Sequence, residues 1–219
     1  QTAKTLLLGE GEVKEKRGNA DAALRSATHT FDAEYNVPFL AHVPMEPQNC
    51  TAVVKAEGVE SWAPTQQPND GKALIAKTLS IDPAIVTVHM RRCGGGFGRR
   101  LENDYMAEAV AIAQKAGAPV KLVWAREDDV AHDFFRPGGY YRVRAGVDAS
   151  GKLAAYISHS VNFTREGKIV QGDEVAGNAF ALTVAPHTRV EFSKIETTIP
   201  TGYLRAPVSN ALAFVHETF

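Results

Sequence analysis

The chain has 219 residues, 44% hydrophobic and 22% charged, with a formal net charge of −1. That length and composition suit one large or two small folded domains with a real core, and the near-neutral balance leaves no basic excess for nucleic-acid binding. No apolar stretch approaches the ~18 residues that a membrane-spanning helix needs.

In chain order, residues 1–18 are polar and glycine-punctuated and read as a tail. Residues 1–30 as a whole read as a linker with a short helix that Asn19 caps and that runs to about Ala27. Thr28 to Tyr35 alternates as a strand, with Phe31, Ala33 and Tyr35 on one face. Pro38, Pro44 and Pro47 make 37–49 an irregular loop. Residues 51–57 and 58–63 pair as a hairpin, and Pro64 and Pro68 bracket a loop holding Thr65-Gln66-Gln67. Asp70 is placed as the cap of a helix over 71–79, and a strand over 85–90 comes after the Asp82-Pro83 turn. Met106, Ala109, Val110 and Ala113 predict the strongest helix, 102–116, stopped by Gly117 and Pro119.

A short strand over 120–124 and longer ones over 138–147, 152–163 and 188–198 are expected from their β-branched and aromatic content, with Ser150-Gly151 as a turn. Residues 164–186 read as a surface loop with room for a short helix. Val208, Leu212 and Val215 share one face of a final helix starting near Ala206. Strands outnumber helices and do not alternate with them regularly. The expected fold is therefore α+β, with mixed or antiparallel sheets packed by the helices at 71–79 and 102–116. The chain starts at Gln1 rather than Met and ends inside an apolar pattern, so a piece of a longer subunit is expected.

Arg91-Arg92-Cys93-Gly94-Gly95-Gly96-Phe97-Gly98-Arg99-Arg100 lies between a predicted strand and a predicted helix. Exposed N–H groups and the positive end of a helix dipole gather around anions in that setting. A dinucleotide GxGxxG fingerprint fails, because its third glycine falls on Arg99 or Leu101, and no Walker A string occurs. A glycine-rich turn with solubilising arginines is the plain alternative. The seven histidines form no HExxH pair, no GxSxG elbow exists, and Cys50 and Cys93 are too few for a cysteine metal site. Both thiols are expected to be free and mostly buried, and the cellular compartment stays open.

Met45-Glu46-Pro47, Trp62 to Pro68, Gly94 to Arg100, Trp124 to Asp129 and Gly202-Tyr203-Leu204-Arg205-Ala206-Pro207 succeed one another with a particular order and spacing. The series resembles the large subunit of the molybdenum hydroxylases, in the first of its two molybdopterin-binding domains, from about Phe31 to Phe219. Within that superfamily GGGFGRRLENDY and YLRAPVSNALAFVHETF are most similar to the isoquinoline 1-oxidoreductase β subunit and related bacterial aldehyde dehydrogenases.

The resemblance implies 31–219 as a molybdopterin-binding domain, with the molybdenum cofactor expected in its cytosine dinucleotide form. It implies transfer of a water-derived oxygen to an N-heteroaromatic such as isoquinoline, or to an aldehyde. Electrons would leave through a small subunit with two 2Fe–2S clusters, and a second molybdopterin-binding domain would complete the pocket. By the same resemblance Gln66 donates its amide to the metal's oxo group, which an amide can do without adding charge. Gly95, Gly96, Phe97 and Gly98 supply backbone to the pocket, although Phe97 also reads as a core anchor. Arg99 or Arg100 would meet the cofactor phosphate or a partner, a solvated arginine being the alternative. Leu101 and Arg205 belong to the substrate pocket.

Leu101 stands where purine-oxidising relatives carry a glutamate, and an apolar side chain there disfavours a purine. The family's catalytic glutamate lies in the second domain. No catalytic residue is therefore expected in this chain, Glu46, Glu102 and Glu127 being read as caps, surface charges or loop acceptors, and the isolated chain is expected to be cofactor-free and inactive. A non-catalytic anion-binding or assembly domain using the glycine loop as a backbone nest is the competing reading.

Overall fold

Two mixed β-sheets organise the chain in a computed structural model, which describes residues 2–175, 180–207 and 209–219. The first part runs α1 (Ala3–Leu8), β1 (Glu12–Arg17), α2 (Ala20–Ser26), β2 (His29–Val37), β3 (Asn49–Lys55), β4 (Gly58–Ala63) and α3 (Pro68–Leu79). Then come β5 (Val86–Met90), α4 (Asp104–Ala116), β6 (Val120–Val123), α5 (Arg126–Ala131), β7 (Gly139–Val147) and β8 (Leu153–Arg165). The chain closes with β9 (Lys168–Ile169), α6 (Phe180–Val184), β10 (His187–Glu196) and α7 (Asn210–Thr218). The described residues thus have the expected α+β character.

The chain divides into two compact units, the first made of residues 1–40, 136–201 and 206–219. Its sheet has the order β1-β10-β8-β7-β2, with β9 paired to the end of β8. Strands β8 and β10 run parallel and the other neighbours antiparallel. Tyr141, Val143, Tyr156, Val190 and Phe192 of this sheet form a core with Leu182 of α6 and Leu212 and Val215 of α7. The shared face predicted for the last helix thus buries Leu212 and Val215, while Val208 lies outside the described residues.

The N-terminal segment corrects one expectation. Residues read as a polar tail form α1 and β1, and β1 pairs antiparallel with β10. Every side chain of β1 is exposed, so it has no apolar alternation to announce it; its charges suit an edge strand that must not recruit another. Lys14 Nζ donates to the Val175 carbonyl at 2.9 Å, and Arg17 reaches the Leu182 and Ala185 carbonyls. The 164–186 loop holds in α6 the short helix expected there and adds the two-residue strand β9, and its residues 176–179 lie outside the described set.

The second unit comprises residues 41–135 and 202–205. Its sheet has the order β5-β4-β3-β6, parallel between β4 and β5 and antiparallel elsewhere. Helices α3 and α4 cover one face, placing Ile75, Ala76, Met106, Ala109, Val110 and Ala113 against Cys50, Ala52, Val59, Ala63 and Val86. The alanines keep α4 close to the sheet, and fully burying a side chain such as Ile75 or Met106 contributes about 1.5–3 kcal/mol. Two boundaries shift from expectation. Helix α3 opens at Pro68, a residue suited to a first helical position, leaving Asp70 in the first turn rather than at the cap. A 3₁₀ turn over Arg99–Leu101 precedes α4, which begins at Asp104. Cys50 is buried as expected, but Cys93 is exposed, and both thiols are free.

Candidate cofactor-facing loop

The five motif segments, from Met45-Glu46-Pro47 to Gly202–Pro207, all have residues in the second unit, and its topology explains why they meet. Because β4 and β5 are parallel neighbours, both chains leave the sheet at the same end, beyond the Ala63 and Met90 pairing. One continues as Pro64-Thr65-Gln66-Gln67, the other as Arg91 to Gly98. Arg91 N still donates to the Ala63 carbonyl at 2.9 Å, and Gln66 N donates to the Arg100 carbonyl at 3.0 Å.

The glycine loop lies against Gln66. Gly98 N donates to Gln66 Oε1 at 3.1 Å, which fixes the amide and leaves its NH2 end, on an exposed residue, as the outward donor. A Cβ at Gly96 would stand 2.5 Å from that same Oε1. Gly98 has φ +110°, and a Cβ there would run into the Tyr203 carbonyl oxygen, so only glycine fits. Phe97 adopts φ +56° and is 47% exposed, so it is not the core anchor that its ring suggested. A bulky residue in that region carries strain on the order of 1–3 kcal/mol, which clusters at functional sites. The main-chain N–H groups of Gly95, Gly96 and Phe97 donate to no acceptor among the described residues.

The two arginines after the loop are fully buried. Arg100 donates to the carbonyls of Gly95 at 2.9 Å, Pro64 at 3.1 Å, Glu46 at 2.9 Å and Pro47 at 3.3 Å, with the Glu46 carboxylate at 3.3 Å. Tyr105 lies under its guanidinium and donates to the Pro64 carbonyl; burial pushes the Tyr105 hydroxyl up to about 12. Arg99 makes a bidentate pair with Asp104 at 2.8 Å, and its Nε lies 3.0 Å from Asp133. The rings of Phe134 and Trp124 flank it at 5.1 and 5.5 Å. Neither guanidinium is solvated or turned outward; both hold the loop from behind. Glu46 acts as a loop acceptor, as expected, taking the Gly94 N–H at 2.5 Å and Asn49 Nδ2 at 3.0 Å.

The remaining segments close the site. Trp124 N donates to the Gln48 carbonyl at 2.9 Å, and Arg126 Nη2 donates to the carbonyls of Pro44 at 2.7 Å and Met45 at 3.1 Å. Arg205 N donates to the Phe97 carbonyl at 2.6 Å, bringing residues 202–205 onto the loop while the Arg205 side chain is exposed. Leu101 is half-buried and donates its N–H to the Gly98 carbonyl at 3.0 Å. Gln66, Gly95 to Arg99, Leu101 and Arg205 therefore share one unit.

Sequence reasoning missed the pair behind them, His42 and Asp133, which lie 3.0 Å apart with their side chains 0% and 1% exposed. Burial works to raise the Asp133 carboxyl, but hydrogen bonds from His42 and the charges of His42 and Arg99 outweigh it and hold the group below its ordinary range. The two residues sit in irregular segments 91 positions apart, where no period or spacing links them. No group of three or more His, Cys, Asp or Glu side chains able to hold a metal ion occurs among the described residues.

The family model described as "Molybdopterin cofactor-binding domain" matches residues 7–219. The membrane-bound aldehyde dehydrogenase (pyrroloquinoline-quinone) of Gluconacetobacter polyoxogenes is 39% identical over 137 residues, 62% of this chain and 18% of the relative. The isoquinoline 1-oxidoreductase subunit beta of Brevundimonas diminuta is 38% identical over 133 residues, 60% of this chain and 17% of the relative. The chain thus spans less than a fifth of the length of these two curated relatives. Among solved structures, quinoline 2-oxidoreductase from Pseudomonas putida 86 matches with a TM-score of 0.71 at 16% identity, covering 92% of this chain and 27% of that one. That last similarity speaks to fold.

Proposed function

We propose that this chain, which belongs to the molybdopterin cofactor-binding domain family, forms one wall of the cofactor pocket in the large subunit of a molybdenum-dependent oxidoreductase. The observation that carries the reading is the loop itself. Three adjacent N–H groups, at Gly95, Gly96 and Phe97, lack acceptors among the described residues, beside a Gln66 amide whose outward end is a donor. Such a row of donors suits the oxo and dithiolene side of molybdopterin, and the missing Cβ at Gly96 keeps Gln66 at the loop surface. When bound, the cofactor supplies the redox chemistry that moves a water-derived oxygen onto an electron-poor carbon.

The chain's own residues orient and support. Gln66 donates outward without adding charge, Gly95 to Gly98 offer backbone, and Arg99 with Arg100 hold that backbone in place rather than meeting a phosphate. Leu101 and Arg205 border the substrate side, and the apolar Leu101 favours an N-heteroaromatic or an aldehyde over a purine. The cytosine dinucleotide form of the cofactor, a second molybdopterin-binding domain that carries the catalytic glutamate, and a small subunit with two 2Fe–2S clusters complete the proposed enzyme. The 219 residues by themselves turn over no substrate on this reading.

The test is co-expression of the full large subunit with its iron–sulfur partner, comparing Gln66→Ala with the unaltered protein on isoquinoline and on aldehydes. Reduced molybdenum loading, together with a loss of kcat by about 10²-fold counted per molybdenum bound, is the expected result for a donor that both holds the cofactor and acts on developing charge. Unchanged turnover in Gln66→Ala would remove Gln66 from the pocket.

A further inference from the structure

We infer that His42 is held as an imidazolium, and that this cation, seated on Asp133, is a positioning residue that clamps Gly202–Arg205 over the glycine loop and through it sets the Gln66 amide. The protonation state comes from the partners. The Asp133 carboxylate accepts the His42 N–H at 2.5 Å and the Phe134 N–H at 2.8 Å, with Arg99 Nε 3.0 Å away. A carboxyl group ringed by donors is an acceptor, so His42 Nδ1, at 3.0 and 3.2 Å from its two oxygens, carries a proton. On the opposite side Nε2 lies 2.7 Å from the Tyr203 carbonyl oxygen, which can only accept. Both ring nitrogens therefore donate, and an imidazole that donates twice is a cation.

A buried cation needs compensation, and the charged groups around this one supply it. His42 and Arg99 face the Asp133 carboxylate, and Arg99 is closed on its far side by Asp104, giving two cations and two carboxylates in one connected cluster. The cluster's outward reach is through Tyr203. With that carbonyl fixed above Gly98, Arg205 N meets the Phe97 carbonyl at 2.6 Å. The Phe97 carbonyl and the Gly98 N–H belong to one planar peptide unit, and that N–H is the group that orients Gln66. A rotation permitted at one end of this peptide is a rotation of the Gln66 donor at the other. The inference rests on the proposed cofactor-facing role only for its consequence, since the charge state and the clamp are properties of the protein without ligand.

Nitrogen-15 NMR of histidine-labelled protein at neutral pH tests it. His42 is expected to show a bonded proton on both ring nitrogens. In Asp133→Asn the ring is expected to lose the Nδ1 proton, and the Arg205 amide to exchange with solvent about tenfold faster, while the Ala109 and Val110 amides of α4 keep their protection. A single protonated nitrogen in the unaltered protein would overturn the charge assignment whatever the variants do. An Arg205 amide unaffected in Asp133→Asn and in His42→Asn, with α4 protection intact, would overturn the clamp. Normal histidine spectra in an enzyme that ignores Gln66→Ala would sink the proposed function alone.

Discussion

Two arginine pairs flank the same glycine loop and have opposite fates. Arg99 and Arg100 are fully buried and donate to carbonyls and carboxylates of the loop's own surroundings, whereas Arg91 and Arg92 are exposed and pair with no carboxylate among the described residues. In residue type and distance from glycine the pairs look alike, and the resemblance turns Arg99 or Arg100, the buried ones, toward a phosphate or a partner. The difference arises on the C-terminal side of the loop: Gly98 reverses the chain, the 3₁₀ turn carries Arg99 and Arg100 under it, and Asp104 and Asp133 wait there. Arginine beside glycine is thus no sufficient sign of a bound anion. Here the open donors of the loop are its main-chain N–H groups and Gln66.

The comparison can be broken by removing one pair at a time. Arg100→Met should cost about 3–5 kcal/mol, since it strands the Gly95, Pro64, Glu46 and Pro47 carbonyls in a buried setting; chemical denaturation reads it. Gly98→Ala comes next, at about 2–3 kcal/mol, because it combines a positive φ with a collision at the Tyr203 carbonyl, and the Arg205 amide should lose exchange protection before the α4 core does.

Acid should act on the buried cluster with a definite sign. Asp133 is held below the ordinary carboxylate range, so its contribution is complete above pH ~4 and is lost as pH falls further; Asp133→Asn should flatten that part of a stability–pH curve. Asp173 in the other unit goes the opposite way. Burial pushes it up to about 7, so the folded chain holds a proton that the unfolded chain gives up near pH 4, and stability should fall between pH ~4 and 7 unless Asn replaces it. The smallest effect belongs to the exposed pair: Arg91→Ala with Arg92→Ala should change stability by no more than about 0.5 kcal/mol in the same denaturation experiment.

Much of this was legible in the chain. Helix α4 was readable from Met106, Ala109, Val110 and Ala113, because a one-sided apolar stripe is what packing on a sheet requires. The segments around Gln66 and the glycine run were readable as a group through their resemblance, in order and spacing, to the molybdenum hydroxylases. What stayed hidden has physical reasons. Strand β1 is an all-exposed charged edge with no alternation to detect, and α5, Arg126–Ala131, is too short and polar to show a period. The burial of Arg99 and Arg100 depends on Asp133, His42 and Glu46, which reach the loop from distant segments and leave no local mark.

The most direct measurement is the molybdenum stoichiometry of the proposed large subunit, co-expressed with the proposed iron–sulfur partner, carrying either Gly96→Ala or Arg91→Ala with Arg92→Ala. A Cβ at Gly96 meets only the end of the Gln66 side chain, so that variant should stay folded yet displace the donor and lose most of its molybdenum, while the arginine variant loads like the unaltered enzyme. Full loading of Gly96→Ala, with loss in the arginine variant, would contradict the assignment of the cofactor wall to the loop and Gln66.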